Sequence, residues 1–198
     1  MSVSRFFPAV LASLLATVAF AQSPAPAPQP AAPAAPAAAP MPSAPVPQGK
    51  AWILMDHASG QVLAGENIDT PLDPASITKV MTSYVVAAEM AQGKVGKDDM
   101  VRIALAVNSE VKLDDLLQGM VIQSGNDAAI ALAEHVAGSE AAFVDLMNRY
   151  ARQLGMRNTN FVNAHGLTAE GHVMTARDIA ILSRALINQF PEHYALYK

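Results

Sequence analysis

The stretch Pro74-Ala75-Ser76-Ile77-Thr78-Lys79 sets a hydroxyl three residues ahead of an amine, directly after Asp73. On a helix, positions i and i+3 share a face, so Ser76 and Lys79 would meet there. Asp73-Pro74 reads as an N-cap followed by proline in the first turn, which puts Ser76 at a helix start. Orphan backbone N–H groups and the positive end of the helix dipole stabilise a developing alkoxide at such a position. Lys79 can take the Ser76 proton only as the free amine, and desolvation among Ile77, Val80 and Met81 pushes its pKa in that direction. The pair is a self-contained nucleophile and base. The spacing alone is common, and Ser109-Glu110-Val111-Lys112 repeats it. That copy lies in a polar stretch where Glu110 keeps Lys112 charged, so it is set aside as a nucleophile.

A second group of polar residues, Gln123-Ser124-Gly125-Asn126-Asp127, follows the apolar Met120-Val121-Ile122 and precedes an alanine-rich run. Ser124 offers a hydroxyl that can relay a proton. Asn126 offers an amide able to hold Lys79 and to bind a peptide backbone. Taken singly, the group is an ordinary loop with Asn126 as a helix cap. Its order after the Ser76 motif changes the reading, because S-x-x-K at a helix start followed by S-x-N before a helix is a two-part signature of serine acyl transfer.

The elements that must hold these groups are legible from pattern. Residues 51–56 and 61–65 read as two strands around the turn His57-Ala58-Ser59-Gly60, a hairpin. An apolar helix runs from 74 to about 92 and is stopped by Gly93. Further helices are expected over 113–122, 126–136, 139–154 and 175–189. One hairpin followed by many helices is an α+β arrangement. Met81, Met90, Met120, Met147 and Met156 fit core packing.

The chain has 198 residues, 52% of hydrophobic type and 15% charged. The apolar excess sits in the first 48 residues. Residues 1–21 carry Arg5, an apolar run from Phe6 to Phe20 and the small-residue pattern Ala19-Phe20-Ala21, which reads as a cleaved secretory signal peptide. The run is shorter than the ~20 apolar residues a spanning helix needs and contains Pro8. Residues 22–48 are mostly Ala and Pro without charge, a disordered linker that favours extended conformations. That leaves residues 49–198 as one domain, long enough to bury a core. The net charge of −4 excludes a basic nucleic-acid footprint. The absence of Cys excludes disulfides and a thiolate nucleophile. The five histidines show no zinc spacing, so neither metal nor cofactor is expected. A Ser76, His165, Asp178 triad can be drawn, but no serine lies in a G-x-S-x-G elbow, and His165 and Asp178 are assigned structural roles. Arg177 and Asp178 are expected to cap and pair at the start of the last helix.

Together, the blocks from Ala75 to Thr82, from Gln123 to Ala128, and the later His165-Gly166-Leu167, Gly171-His172 and Thr175-Ala176-Arg177-Asp178 resemble the serine-type D-alanyl-D-alanine carboxypeptidases, the low-molecular-mass penicillin-binding proteins. The opening Trp52-Ile53-Leu54-Met55-Asp56 and Ser59-Gly60-Gln61-Val62-Leu63 resemble their first hairpin. The resemblance implies a β-lactamase/transpeptidase-like α+β fold and removal of the terminal D-Ala from peptidoglycan stem pentapeptides in the periplasm. It implies Ser76 as nucleophile, Lys79 as general base, Ser124 in the proton path, Asn126 in substrate binding, and β-lactams as covalent inhibitors of Ser76.

The family's third motif, K-T-G or K-S-G, is not in this sequence, and Lys94-Val95-Gly96 reads instead as a helix exit. The resemblance therefore covers the N-terminal part of the catalytic domain, and the expectation is a truncated domain lacking later sheet strands, poorly stable and weakly active or inactive. Peripheral inner-membrane association would require a C-terminal helix beyond this chain. The alternatives are a DD-endopeptidase or β-lactamase of the same superfamily, or a non-catalytic homologue that binds peptidoglycan.

Overall fold

The computed structural model describes residue 44 and residues 46–103 and 109–198. The expected signal segment over 1–21 and most of the Pro/Ala stretch lie outside the described residues. The expected hairpin is present: β1 (Trp52–Met55) pairs antiparallel with β2 (Val62–Glu66), with a bulge between Leu54 and Met55. Asp56 closes the turn by accepting from the Ser59 N–H at 2.7 Å.

The nucleophile motif differs from expectation at its first residues. Instead of a continuous helix, a 3-10 turn over Ala75–Ile77 leads into α1 (Thr78–Ala91). A proline at 74 fixes φ, and Asp73 Oδ1 accepts from Ala75 N–H at 3.0 Å, tightening the entry before regular helix begins. Helix α1 is buried almost all round, from Thr78 through Glu89, with only Val80 less than fully covered in that span. A helix covered on every side belongs in the centre of a fold. Here it packs against α2 (Leu113–Gln123), α3 (Asn126–Ala137), α4 (Glu140–Leu154) and α5 (Ala176–Gln189).

The bounds of those helices follow from their caps. Ser139 Oγ accepts from Ala142 N at the start of α4, and Thr175 Oγ1 accepts from Asp178 N at the start of α5. The core between them holds Met81, Met120, Leu132, Phe143, Met147, Phe161 and Leu182, each almost wholly removed from water. Four of the five methionines expected in the core are fully buried, and Met90 packs against its margin.

Two features were not anticipated from pattern. Between α1 and α2 along the chain, β3 (Met100–Arg102) and β4 (Glu110–Lys112) pair antiparallel, β3 packing against α3 and β4 against α2. After α5, α6 (Pro191–Tyr194) turns the chain back. The second Ser-x-x-Lys spacing thus runs into a strand rather than along a helix face, with Ser109 just ahead of β4 and Lys112 at its end. Lys112 is exposed and pairs with Asp98 at 3.2 Å. Among the described residues, no helix is long and apolar enough to cross a membrane.

Candidate active site

The turn that carries Ser76 is built under backbone strain. Three described non-glycine residues have positive φ, and two of them, Ala75 at 46° and Ser124 at 56°, are in this site. Left-handed backbone costs an L-residue of this kind about 1–2 kcal/mol and persists only where surrounding contacts impose it. At Ala75 they are Asp73 on its N–H and, on the other side, Gly166. The turn presents Ser76 at the surface while Lys79, one turn on, is only 4% exposed.

Lys79 Nζ is 3.2 Å from Ser76 Oγ, 2.8 Å from Asn126 Oδ1 and 2.6 Å from the backbone carbonyl of His165. Burial holds its pKa below the usual lysine value, since the charged form loses its hydration. Two of the three neighbours are oxygens that only accept. A neutral amine has two protons for them, and its lone pair is then left for the Ser76 hydroxyl. The charged form donates to all three oxygens and the base form to the two acceptors, so the same contacts serve Lys79 before and after it gives up a proton.

Ser124 and Asn126 arrive from the junction of α2 and α3. Ser124 ends α2 in the left-handed conformation, which turns its side chain back so that its hydroxyl donates to Ser76 Oγ at 3.0 Å. Gly125, and not Asn126, occupies the N-cap of α3. With Asn126 released from capping, its Oδ1 is committed to Lys79. All four residues singled out in sequence, Ser76, Lys79, Ser124 and Asn126, converge on one point.

The segment from 163 to 172 braces this constellation from behind. Thr82 Oγ1 donates to the Ala164 carbonyl at 2.6 Å, next to the Lys79 contact with His165. Thr168 Oγ1 donates to Asp73 Oδ2 at 2.6 Å, and His172 Nε2 meets Thr78 Oγ1 at 2.8 Å. Between them Gly166, at φ 90°, lies so close that a Cβ there would fall 1.9 Å from the Ala75 oxygen. Sequence reasoning gave His165 a structural role without its carbonyl contact and assigned no task to Gly166, Thr168 or His172. The His-Gly-Leu and Gly-His blocks were the available signal.

Arg177 and Asp178 correct an expectation. Neither caps α5, a task taken by Thr175. Arg177 reaches across to Asp69, with Nε to Oδ1 at 2.6 Å and Nη2 to Oδ2 at 2.9 Å. Asp178 is 1% exposed and accepts from Asn158 N–H and Thr159 Oγ1, a network separate from Ser76. Among the described residues no three His, Asp or Glu side chains gather as a metal site.

Residues 38–198 match the family described as D-alanyl-D-alanine carboxypeptidase. The D-alanyl-D-alanine carboxypeptidase DacC of Escherichia coli (strain K12) is 48% identical over 185 residues, covering 84% of this chain and 46% of that protein. DacA of the same strain is 42% identical over 173 residues, covering 77% and 43%. Among solved structures, penicillin binding protein 5 from Haemophilus influenzae superposes with a TM-score of 0.74 at 40% identity, over 78% of this chain and 50% of that one. The carboxypeptidase DacD from Francisella tularensis gives 0.75 at 40%, over 79% and 41%. The chain spans about half the length of the curated relatives it matches.

Proposed function

The chain belongs to the D-alanyl-D-alanine carboxypeptidase family of serine peptidases and shares the transpeptidase-like α+β fold of penicillin-binding proteins, and on that premise we propose that it removes the terminal D-Ala from peptidoglycan stem pentapeptides through an acyl-enzyme on Ser76. The observation that carries the reading is the Lys79 amine, buried, lowered in pKa and 3.2 Å from Ser76 Oγ.

In the first step Ser76 Oγ attacks the carbonyl of the penultimate D-Ala while its proton passes to the Lys79 lone pair. The Ser76 N–H serves as one donor to the oxyanion. As the tetrahedral intermediate collapses, the C–N bond breaks, and the proton returns by way of Ser124 Oγ to the departing D-Ala amine. Water then attacks the ester with Lys79 again as base, releasing the shortened peptide and restoring the Ser76 hydroxyl. Asn126 holds Lys79 through Oδ1 and offers its NH2 to the bound peptide. A β-lactam ring opens on the same serine. The catalytic residues lie in a domain over 49–198, carried to the periplasm by residues 1–21 and spaced by residues 22–48.

Covalent labelling of the purified chain by a fluorescent penicillin tests this reading. The label is expected on wild-type protein and absent from Ser76→Ala. No labelling overturns the proposed activity of this chain, and labelling indifferent to that substitution overturns the site assignment. Product analysis with a Lys-D-Ala-D-Ala peptide and a crosslinked muropeptide separates carboxypeptidase from endopeptidase action. The export reading is checked by the N-terminus of the mature protein, expected at Gln22.

A further inference from the structure

The imidazole of His172 is 2% exposed and is held at both nitrogens. Nδ1 accepts from the Val162 backbone N–H at 2.9 Å. Nδ1 therefore carries no proton, and the neutral ring has its hydrogen on Nε2, which donates to Thr78 Oγ1 at 2.8 Å. The Phe161 ring closes one side in an edge-on contact. Protonating Nδ1 would set N–H against N–H, so this tautomer is imposed by the backbone.

The backbone around His172 is fixed just as closely. Asn160 and Val173 exchange two N–H to carbonyl bonds at 2.9 Å, and Leu72 and Met174 exchange two more. His172 thus adjoins a crossing point tied to the residue before Asp73. Thr78, its other partner, lies between Ser76 and Lys79 along the chain, at the change from 3-10 turn to α1, and its N–H is shared by the Ala75 and Ser76 carbonyls.

Resting on the acyl-transfer reading of this site, we propose that His172 is a positioning residue for the nucleophile: its Nε2–H, oriented by Val162, fixes Thr78 and through it the separation of Ser76 and Lys79. His172 touches neither reacting atom. It acts by setting the angle at which the 3-10 turn enters α1, where a displacement of about 1 Å costs on the order of 100-fold in rate.

The two halves of the imidazole can be removed separately. Gln places its amide NH2 near the Nε2 position and retains the donor to Thr78; Asn places its amide oxygen near the Nδ1 position and retains the acceptor for Val162. The experiment compares His172→Gln, His172→Asn and Thr78→Val for rate of acylation by a fluorescent penicillin, thermal midpoint, and titration of the Lys79 amine followed by NMR of labelled lysine. His172→Gln is expected to acylate within about threefold of wild type, whereas His172→Asn and Thr78→Val lose about tenfold to 100-fold in the folded protein. Adding Thr78→Val to His172→Asn is expected to cost little more, since both remove the same contact. Acylation that follows the thermal midpoint alike in all three variants overturns the proposal. If wild-type protein is not labelled at all, the acyl-transfer reading fails and the Lys79 titration decides: a curve moved by His172→Asn but not by His172→Gln sustains the positioning role, and one moved by neither ends it.

Discussion

The His165 carbonyl oxygen stands 2.6 Å from Lys79 Nζ, across 86 residues of sequence, and with Asn126 Oδ1 it accepts from the Lys79 amine. Once Lys79 has given up its third proton, the lone pair is left for Ser76 Oγ. Acylation by penicillin is therefore expected to rise with pH along a limb whose midpoint is below the ordinary lysine value of 10.5. Between that lowered native value and 10.5 the unfolded chain binds the extra proton, so stability also rises with pH across the window. Lys79→Arg keeps a permanent charge and should lower acylation by about 100-fold or more. A pH–rate profile of labelling checks both; a flat profile across the alkaline range contradicts the base role.

Gly166→Ala is expected to damage site and fold together. It meets two obstacles at once, a φ of 90° and a carbonyl oxygen 1.9 Å from the new methyl. The combined cost is about 2–4 kcal/mol, with labelling lost in what remains folded. Gly138→Ala supplies the control, because φ there is 81° but nothing lies within 4 Å of an added Cβ. That variant should lose only about 1 kcal/mol and label normally. Urea melts and labelling of the two variants together separate backbone conformation from steric collision.

Asp178→Ala is expected to weaken the fold without touching the chemistry. It strips the acceptor from Asn158 N–H and Thr159 Oγ1, at a cost of about 2–3 kcal/mol. Labelling per folded molecule should match wild type, in contrast to Ser76→Ala. A large loss of labelling with an unchanged urea midpoint would give Asp178 a part in the reaction after all.

Glu89 supplies an acid-sensitive term. Burial raises the pKa of this carboxylate, but its hydrogen bonds to Lys94 and Tyr150 outweigh burial and leave it below the ordinary glutamate value of 4.5. Tyr150, in turn, is pushed up to about 12 by burial and by its bond to Glu89. A depressed native pKa contributes stability that is present above 4.5 and lost as pH falls through the lowered value. Glu89→Gln should flatten the dependence of the thermal midpoint on pH in the acid range and lower that midpoint near neutrality.

Much of this arrangement could be read from local pattern because local physics produces it. The hairpin turn and the stop at Gly93 both act within a few residues of themselves. Ser76, Lys79, Ser124 and Asn126 were legible because their side-chain types suit acyl transfer and their spacing suits helix ends. The His165 contact was hidden for the opposite reason: the acceptor is a carbonyl, which every residue possesses. The tautomer of His172 depends on Val162, ten residues away, and the partnership of Arg177 with Asp69 on the docking of distant segments. The strands β3 and β4 are three residues each, too short for alternation to register.

The brace behind the nucleophile has a consequence for the order of folding. The contacts at Asp73, Thr78, Lys79 and Thr82 close loops of 95, 94, 86 and 82 residues. Each of those contacts must offset the entropy of closing such a loop, which favours their forming after the local helices and turns. The strained turn at Ala75 has too little support from its own neighbourhood to persist in an isolated N-terminal piece. A nascent chain that has emerged through α4 holds Ser76 and Lys79 in sequence but not in register, and the serine gains its reactive geometry only when the segment through His172 docks.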